Sequence, residues 1–154
     1  MNSHCLNKVC LLATDKSTCN PVYEDKVRKH IKRYGAWAAW WSFPIKDKSI
    51  PYLLNEPFYI YISEGKGIFS YRYTVVNFIS SHGNKGCPSP WPKYTEKEER
   101  EKRVLWAPCK TWFLVTEFKE IPFKLLGDFV PIKGLSTEKT LICRSTFGYS
   151  FLRN

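Results

Sequence analysis

The chain has 154 residues, of which 44% are hydrophobic and 25% are charged, a composition that excludes an intrinsically disordered or fibrous chain. Its length is typical of one domain with enough buried surface for a core. Lys and Arg number 24 against 14 Asp and Glu, so the formal net charge is +10 and a polyanion is the favoured partner.

Residues 1–20 show no clear hydrophobic periodicity, and we expect a weakly ordered N-terminal extension or a short edge element. The start, MNSHCLNKVCLLATDKS, has neither a basic leader nor a sustained apolar stretch. No run approaches the roughly 20 apolar residues that cross a bilayer. We therefore expect a cytoplasmic protein with no membrane partner, and a single domain over residues 21–154.

The chain has six cysteines, at positions 5, 10, 19, 87, 109 and 143. Disulfides are not predicted, because no secretory signal precedes them. His4, Cys5, Cys10 and Cys19 are candidate zinc ligands, but they lack the short knuckle spacing of a structural zinc site. We therefore predict no metal and no cofactor.

Residues 20–35 carry the signals of a helix. Asn20 followed by Pro21 is typical of a helix start, acidic residues come early in YEDKVRKHIKRY, and Gly35 ends the pattern. Four basic residues on this helix are candidate phosphate-binding groups: Lys26, Lys29, Lys32 and Arg33. The alternative is a solvated surface helix without a ligand.

The stretch AWAAWWSFPI predicts a buried strand that ends at Pro44, and DKSIPYLLNEP predicts a loop. Two β-rich runs follow, PFYIYIS and GIFSYRYTVVNFIS, separated by Glu64-Gly65-Lys66-Gly67. This pattern predicts an antiparallel hairpin. The paired glycines could also form a phosphate cradle, but no helix follows them, so we favour the turn.

Residues 81–93 are rich in Gly and Pro and predict a loop. Trp91 lies between Pro90 and Pro92, which stiffen the backbone, so its ring either contacts a ligand or covers the edge of the core. Lys85 and Lys93 of this loop are further candidate phosphate-binding residues. TEKEEREKR then predicts a short, solvated helix of mixed charge.

The remaining segments predict a further long strand and several short elements. In KTWFLVTEFKEIP, period-two alternation places Trp112 and Leu114 on one face, and Phe113, Val115 and Glu117 on the other. KLLGDFVPIKG predicts a turn-rich piece, and TLICR and FGYSFL predict two brief strands. The fold class is therefore α+β: a mostly antiparallel, strongly bent sheet of about five to seven strands, or a small barrel, with short flanking helices.

The six tryptophans, in a basic chain, favour nucleic acid as the polyanion. Aromatic rings stack on bases, while Lys and Arg neutralise phosphates. The alternative for each tryptophan is a core anchor that buries a large apolar area. Catalytic signatures are absent from the sequence: it contains no Walker sequence, no nucleophile elbow and no paired histidines on a helix face. We therefore predict a binding module and not an enzyme.

The order of these segments resembles the PUA-like superfamily, and within it the EVE and YTH domains that read modified bases. The resemblance covers roughly residues 34–152 and is carried by AWAAWWSFPI, by PFYIYISEGKGIFSYRYTVV, by a tryptophan-bearing loop and by KTWFLVTEFKEIP. ICRSTFGYSFL is similar to the arginine- and glycine-bearing strand region at the end of EVE domains. Similar domains occur as DNA-recognition parts of modification-dependent restriction proteins.

The resemblance implies that one methylated base is flipped out of its strand into an aromatic pocket. It places that pocket near the end of the aromatic strand and the loop after the hairpin, which in this chain are Trp40, Trp41 and Ser42, with Trp91 or Trp106 as the facing ring. Tyr61, Tyr71 and Tyr73 are reserve candidates. Because Trp40 and Trp41 alternate, we expect only one of them to line the pocket.

The resemblance also implies partners. These are DNA or RNA that carries a modified base, and a larger NTPase or nuclease to which such a module is fused or with which it acts. The alternative function is an RNA-binding PUA or ASCH-type module in RNA modification or translation. A small metal-dependent nuclease or hydrolase is a third possibility, because Glu and Lys residues can converge in space.

Overall fold

The structure is a computed structural model, and it describes residues 8–54, 56–81, 86–96 and 109–153. One mixed sheet and two short helices form an α+β fold, as predicted. The strands are β1 (Val9–Thr14), β2 (Trp37–Trp41), β3 (Phe58–Ser63), β4 (Ile68–Ser80), β5 (Thr111–Leu125), β6 (Phe129–Pro131) and β7 (Gly148–Leu152), and the helices are α1 (Pro21–Tyr34) and α2 (Ile50–Leu53). None of the helices in the described ranges is long and apolar enough to cross a membrane.

The sheet has the strand order β2-β5-β4-β3-β1-β7-β6. Neighbouring strands are antiparallel except β1 and β3, which run parallel. The predicted antiparallel sheet is therefore correct only in part. The parallel pair arises because the chain leaves β1, passes through α1 and β2, and returns to β1 with β3 in the same direction.

Strand β1 lies inside the sheet, between β3 and β7. Leu11 and Ala13 are buried in the main core, while Cys10 and Leu12 are buried on the opposite face. The expected weak order of residues 1–20 is therefore wrong for Val9–Thr14. A strand that is buried on both faces shows a continuous apolar run and no alternation, and for this reason VCLLAT gave no periodic signal.

Helix α1 begins and ends where the sequence predicts. The Asn20 side chain accepts a hydrogen bond of 2.8 Å from the backbone N–H of Tyr23, and Pro21 occupies the first turn. Gly35 ends the helix with φ 99°, a left-handed conformation that favours glycine. Val27 packs into the main core, and this contact fixes which face of the helix is exposed.

Strands β3 and β4 form the predicted antiparallel hairpin. Its turn contains three successive residues with positive φ, Gly65 at 124°, Lys66 at 65° and Gly67 at 69°. Glycine adopts this conformation without steric cost, so the two glycines are explained by the turn itself.

Strand β5 departs from strict alternation. Phe113 and Val115 face the main core, but the next core residue along the strand is Phe118. The pairing of β4 with β5 shifts register in this region. The Glu117 carboxylate instead accepts a hydrogen bond of 3.0 Å from the Arg72 guanidinium. The predicted face of Glu117 is therefore wrong, because a bulge adds one residue to a strand and reverses its side chains.

Three shorter predictions also need correction. The expected loop, residues 47–57, contains a 3-10 helix, Asp47–Ser49, followed by α2. TLICR is not a strand, because Lys139–Ile142 form a 3-10 helix. The turn-rich KLLGDFVPIKG contains the short strand β6. The predicted helix TEKEEREKR lies outside the described residues after Glu96.

The sheet curls so that its two ends approach each other. The ring of Trp41, in edge strand β2, lies 5.7 Å from that of Phe147, just before β7. Phe43 lies closer still, with a centroid separation of 4.5 Å from Phe147. β2 and β6 are the two edge strands of the sheet, and they do not pair with each other in the described ranges, so the barrel alternative is not confirmed. The curled sheet encloses the main core and leaves the free edge of β2 facing the end of β1.

Candidate functional site

A cleft of about 450 Å³ runs along the free edge of β2. Residues of both faces of β2 border it and none of the described residues of β5 does, so it follows the unpaired side of this edge strand. Its walls are residues 37–43, residues Thr14, Asp15, Ser17 and Thr18 after β1, and the side chains of Tyr23, Lys26, Tyr73, Glu96 and Arg144.

The sequence WAAWW explains why this edge holds a cleft. Trp37, Ala39 and Trp41 face the main core, whereas Ala38 and Trp40 face the other way. Each face therefore has a small side chain next to a large ring. The alanines leave space along the strand that larger side chains would fill, and the indoles bound this space.

Aromatic side chains form the deep wall of the cleft. The Trp41 ring meets Tyr73 edge-on with centroids 5.9 Å apart, and Trp37 meets Tyr23 in the same way at 6.2 Å. The hydroxyls of Tyr23 and Tyr73 lie 3.2 Å apart and join the two pairs. Burial raises the pKa of Tyr73 well above its ordinary value, so this phenol stays neutral. The wall is therefore rigid and uncharged.

Trp37 also brings an unsatisfied hydrogen-bond donor to the cleft. Its side chain is 4% exposed, and its indole Nε1–H has no acceptor among the described residues. A buried donor without a partner costs about 1–3 kcal/mol. A ligand in the cleft with an acceptor within reach of Nε1 would recover this energy.

Charged residues line the rim of the cleft. On the α1 side, Lys26 forms an ion pair of 3.1 Å with Glu96. On the β1 side, the Asp15 carboxylate accepts a hydrogen bond of 2.7 Å from the Ser17 hydroxyl and one of 3.1 Å from the Ser17 backbone. Arg144 borders the cleft from the segment that precedes β7. The rim thus combines two cations with two carboxylates.

His30 lies behind the α1 wall. Its ring meets Trp37 edge-on at 4.8 Å, and its Nε2 lies 3.1 Å from the carbonyl oxygen of Tyr94. Burial lowers the pKa of His30, and this effect outweighs the carbonyl of Tyr94 and the carboxylate of Glu96, which both raise it. His30 therefore connects α1 to the segment Trp91–Glu96 as a partly buried, neutral ring.

The structure brings together some of the predicted pocket residues. Trp40, Trp41 and Ser42 all border the cleft, as does the reserve candidate Tyr73. Trp40 and Trp41 belong to opposite faces, as predicted, but both contact the cleft because it follows the strand edge and not one face.

The other predicted pocket residues lie elsewhere. Trp91 packs near Trp112 on the outer face and does not border the cleft, because the Trp112 indole donates to the Cys87 carbonyl at 2.8 Å and holds this loop against β5. Tyr61 belongs to the core on the opposite face of the sheet. Tyr71 is buried and stacks on Phe118. Trp106 lies outside the described residues.

The candidate phosphate-binding residues divide into three groups. Lys29 is paired with Asp25 at 2.9 Å, and Lys26 with Glu96 as above. Lys32, Arg33 and Lys93 are exposed, and the last two lie over the Tyr34 and Tyr94 rings, respectively. The His30 contact to Tyr94 places Lys93 beside α1, so these cations share one side of the molecule. Lys85 lies outside the described residues.

Sequence reasoning missed Trp37, Tyr23 and Arg144. Side chains two and four residues apart in a strand lie on the same face, so Trp37 lies on the face of Trp41. Following the alternation back from Trp41 by four residues would have identified Trp37. Arg144 is the arginine of ICRSTFGYSFL, but no local signal in this segment indicates that its side chain borders a cleft with β2. It reaches the cleft only because the sheet curls and brings the segment before β7 close to β2.

The candidate zinc ligands do not form a site in the described part of the chain. Cys10 and Cys19 belong to different core clusters, and burial raises the pKa of each thiol to about 12. Within the described ranges, no group of three or more His, Cys, Asp and Glu side chains could hold a metal ion. His4 and Cys5 lie outside these ranges.

Comparison of the chain with protein-family models, with curated proteins and with solved structures found no match.

Proposed function

We propose that this protein is a nucleic-acid-binding module that holds one modified, methylated base in the cleft along β2. The observation that carries the proposal is the composition of this cleft: three tryptophans of one edge strand line it, and two basic side chains stand at its rim. We further propose that the curled mixed sheet is a PUA-like domain of the EVE type, and that the protein performs no catalytic step.

The size of the cleft suits one flipped base. Sites for small ligands commonly measure about 300–1,000 Å³. The cleft, at about 450 Å³, lies within this range. Stacking of a base on an aromatic side chain contributes about 1–3 kcal/mol.

A rigid aromatic wall is what recognition of a methyl group requires. One methyl group adds apolar surface worth only about 1 kcal/mol, so discrimination depends on close contact with all sides of the base. The edge-on contacts of Trp41 with Tyr73 and of Trp37 with Tyr23 hold the wall in place. Such a wall cannot adapt to a base that lacks the methyl group.

Polar groups that could read the base edge stand on the same wall. Among the described residues, the Trp37 indole N–H has no acceptor and no strand pairs with the side of β2 away from β5, so this side presents backbone N–H and C=O groups. Together they supply both donors and acceptors to one planar ligand. A net charge of +10 and the cations of α1 favour the phosphates around that base.

This arrangement supports a role as the DNA-recognition part of a modification-dependent restriction system. A binding module without a catalytic step of its own depends on an enzyme for the reaction. The partner would therefore be a larger NTPase or nuclease that acts on the bound nucleic acid.

Binding to matched oligonucleotides tests the proposal. The panel contains DNA and RNA, single- and double-stranded, unmodified or with one N6-methyladenine or one 5-methylcytosine, at fixed salt. We expect at least a tenfold preference for one modified form, about 1.4 kcal/mol. Equal binding of all forms would contradict base reading. A preference for structured RNA irrespective of methylation would instead favour the PUA or ASCH-type alternative.

Trp40 and Trp91 provide a matched pair of variants. Both indoles are half-buried and pack against the same cluster around Trp112, but only Trp40 borders the cleft. We expect Trp40→Ala to lose most of the preference for the modified oligonucleotide and Trp91→Ala to retain it. Equal preference in the two variants would place the base elsewhere.

A further inference from the structure

We propose that Arg144 binds the phosphate that flanks the base held in the cleft. This inference rests on the proposed function, and it assigns to the site an anchor for the nucleic-acid backbone on the wall opposite α1. Arginine suits this task because its planar guanidinium donates two parallel hydrogen bonds to phosphate oxygens.

The fold holds Arg144 at the cleft. The segment that carries it begins after Leu141 and ends at Phe147, and both of these side chains are buried. Phe147 packs against Trp41 and Phe43, the same aromatic residues that border the cleft. The backbone of Arg144 is therefore fixed relative to the aromatic wall, although the arginine itself is exposed.

The guanidinium rests on the turn between β3 and β4. A Cβ atom added to Gly65 would lie 3.4 Å from Nη2 of Arg144, so the guanidinium lies beside this glycine. Arg144 forms no ion pair or hydrogen bond through its side chain with the described residues. Among the described residues, none accepts a hydrogen bond from its donors, so they can bind a ligand.

The two cations of the rim differ in this respect. The charge of Lys26 is compensated by Glu96 at 3.1 Å. The Asp15 carboxylate on the β1 side accepts two hydrogen bonds from Ser17, and neither it nor the exposed Glu64 of the neighbouring turn forms an ion pair with Arg144. Within the described residues, Arg144 is thus the cation of the cleft that has no ion-pair partner. A bound anion is stabilised more by a cation that has no carboxylate partner than by one that already forms an ion pair.

Short DNA and RNA strands provide the test, single-stranded or paired with a complement, and unmodified or with one central N6-methyladenine or 5-methylcytosine. One version of each has natural phosphodiesters, and the others carry a single uncharged methylphosphonate, placed at each linkage in turn. We expect one linkage beside the modified base to weaken wild-type binding by about tenfold when it is neutral. Arg144→Gln should weaken binding of the natural strand by the same factor and should be insensitive to that linkage.

The control variant is Arg153→Gln, which removes the same charge from an exposed arginine that bonds the Gly127 carbonyl and does not border the cleft. It should bind the natural strand like wild type and keep the tenfold linkage effect. Thermal unfolding of both variants checks that each is folded. If Arg144→Gln binds like Arg153→Gln, or still loses tenfold with the neutral linkage, Arg144 does not bind this phosphate.

The same data separate this inference from the proposed function. One outcome is that wild type prefers a methylated strand while Arg144→Gln and the neutral linkage each lower the affinity independently, so that the combined loss is the product of the two. In that case only the role of Arg144 fails. If methylation does not change the affinity, but Arg144→Gln and the neutral linkage together lower the affinity for the unmodified strand no more than either does alone, base reading fails and the phosphate contact stands. If wild type binds none of the DNA or RNA strands, single-stranded or paired, both proposals fail.

Discussion

His30 shows how burial of a single titratable residue affects stability. It packs against Trp37 and contacts the Tyr94 carbonyl, and burial lowers its pKa below the ordinary value of 6.5. The unfolded chain therefore takes up this proton at a higher pH than the folded protein does. Stability is retained above pH 6.5 and decreases as the pH falls below it.

We expect wild type to lose more stability between pH 7.5 and pH 5.5 than His30→Gln loses, as measured by urea unfolding followed by tryptophan fluorescence. The difference between the two proteins isolates His30 from the other titrating groups of the chain. Because His30 is largely accessible to solvent, screening keeps this difference modest. Equal losses in the two proteins would show that His30 titrates at the same pH in both states.

The tryptophans show what residue-level reasoning can achieve. Alternation in WAAWW correctly separated Trp40 from Trp41, because the side chains of a strand alternate whatever the strand packs against. The role of Trp91 could not be obtained in this way. Its stiff Pro-Trp-Pro backbone is compatible with ligand contact and with core packing, and the hydrogen bond from Trp112 to the Cys87 carbonyl favours packing.

Helix α1 carries a basic surface whose members are not equivalent. Asp25 is paired with Lys29, one turn away, and partly compensates its charge, whereas Arg33 lies over the Tyr34 ring without an acidic partner in the described ranges. A phosphate backbone along this helix would therefore depend more on Arg33. Such contacts are independent of base identity.

We expect Arg33→Glu to weaken binding of modified and unmodified strands alike and to lower the slope of log K against log salt by about one, with a smaller effect for Lys29→Glu. Titrations at several salt concentrations measure both quantities. Lys133→Glu is the control, since it makes the same charge change in an exposed loop after β6, at the other end of the sheet. If Lys133→Glu weakens binding as much as Arg33→Glu does, the residues of α1 contribute only through the net charge of the protein and do not contact the phosphates.

At the scale of the whole molecule, β1 joins the two parts of the sheet. It pairs with β3 on one side and with β7 on the other. In the described ranges, β6 and β7 are therefore joined to the other strands by backbone hydrogen bonds only through β1. Leu11 of this strand is completely buried in the main core of the protein. Loss of its packing should therefore affect the entire fold.

We expect Leu11→Ala to lower the free energy of unfolding by about 3 kcal/mol, as buried Leu-to-Ala changes do. Val22→Ala, at a side chain that is 80% exposed, should change it by less than about 0.5 kcal/mol. Urea unfolding measures both. A small effect of Leu11→Ala would mean that β1 behaves as the loosely attached extension that the sequence suggested.

The sequence by itself determined the elements whose signals are local. The cap and stop residues predicted the bounds of α1, and the two glycines predicted the hairpin of β3 and β4, because these structures depend on backbone preferences of neighbouring residues. Only the tertiary structure decided the place of β1, the face of Glu117 and the position of Arg144. Each of these depends on contacts between residues far apart in sequence: burial of β1 on both faces, a bulge between two long strands, and the curl that brings the segment before β7 to the edge of β2.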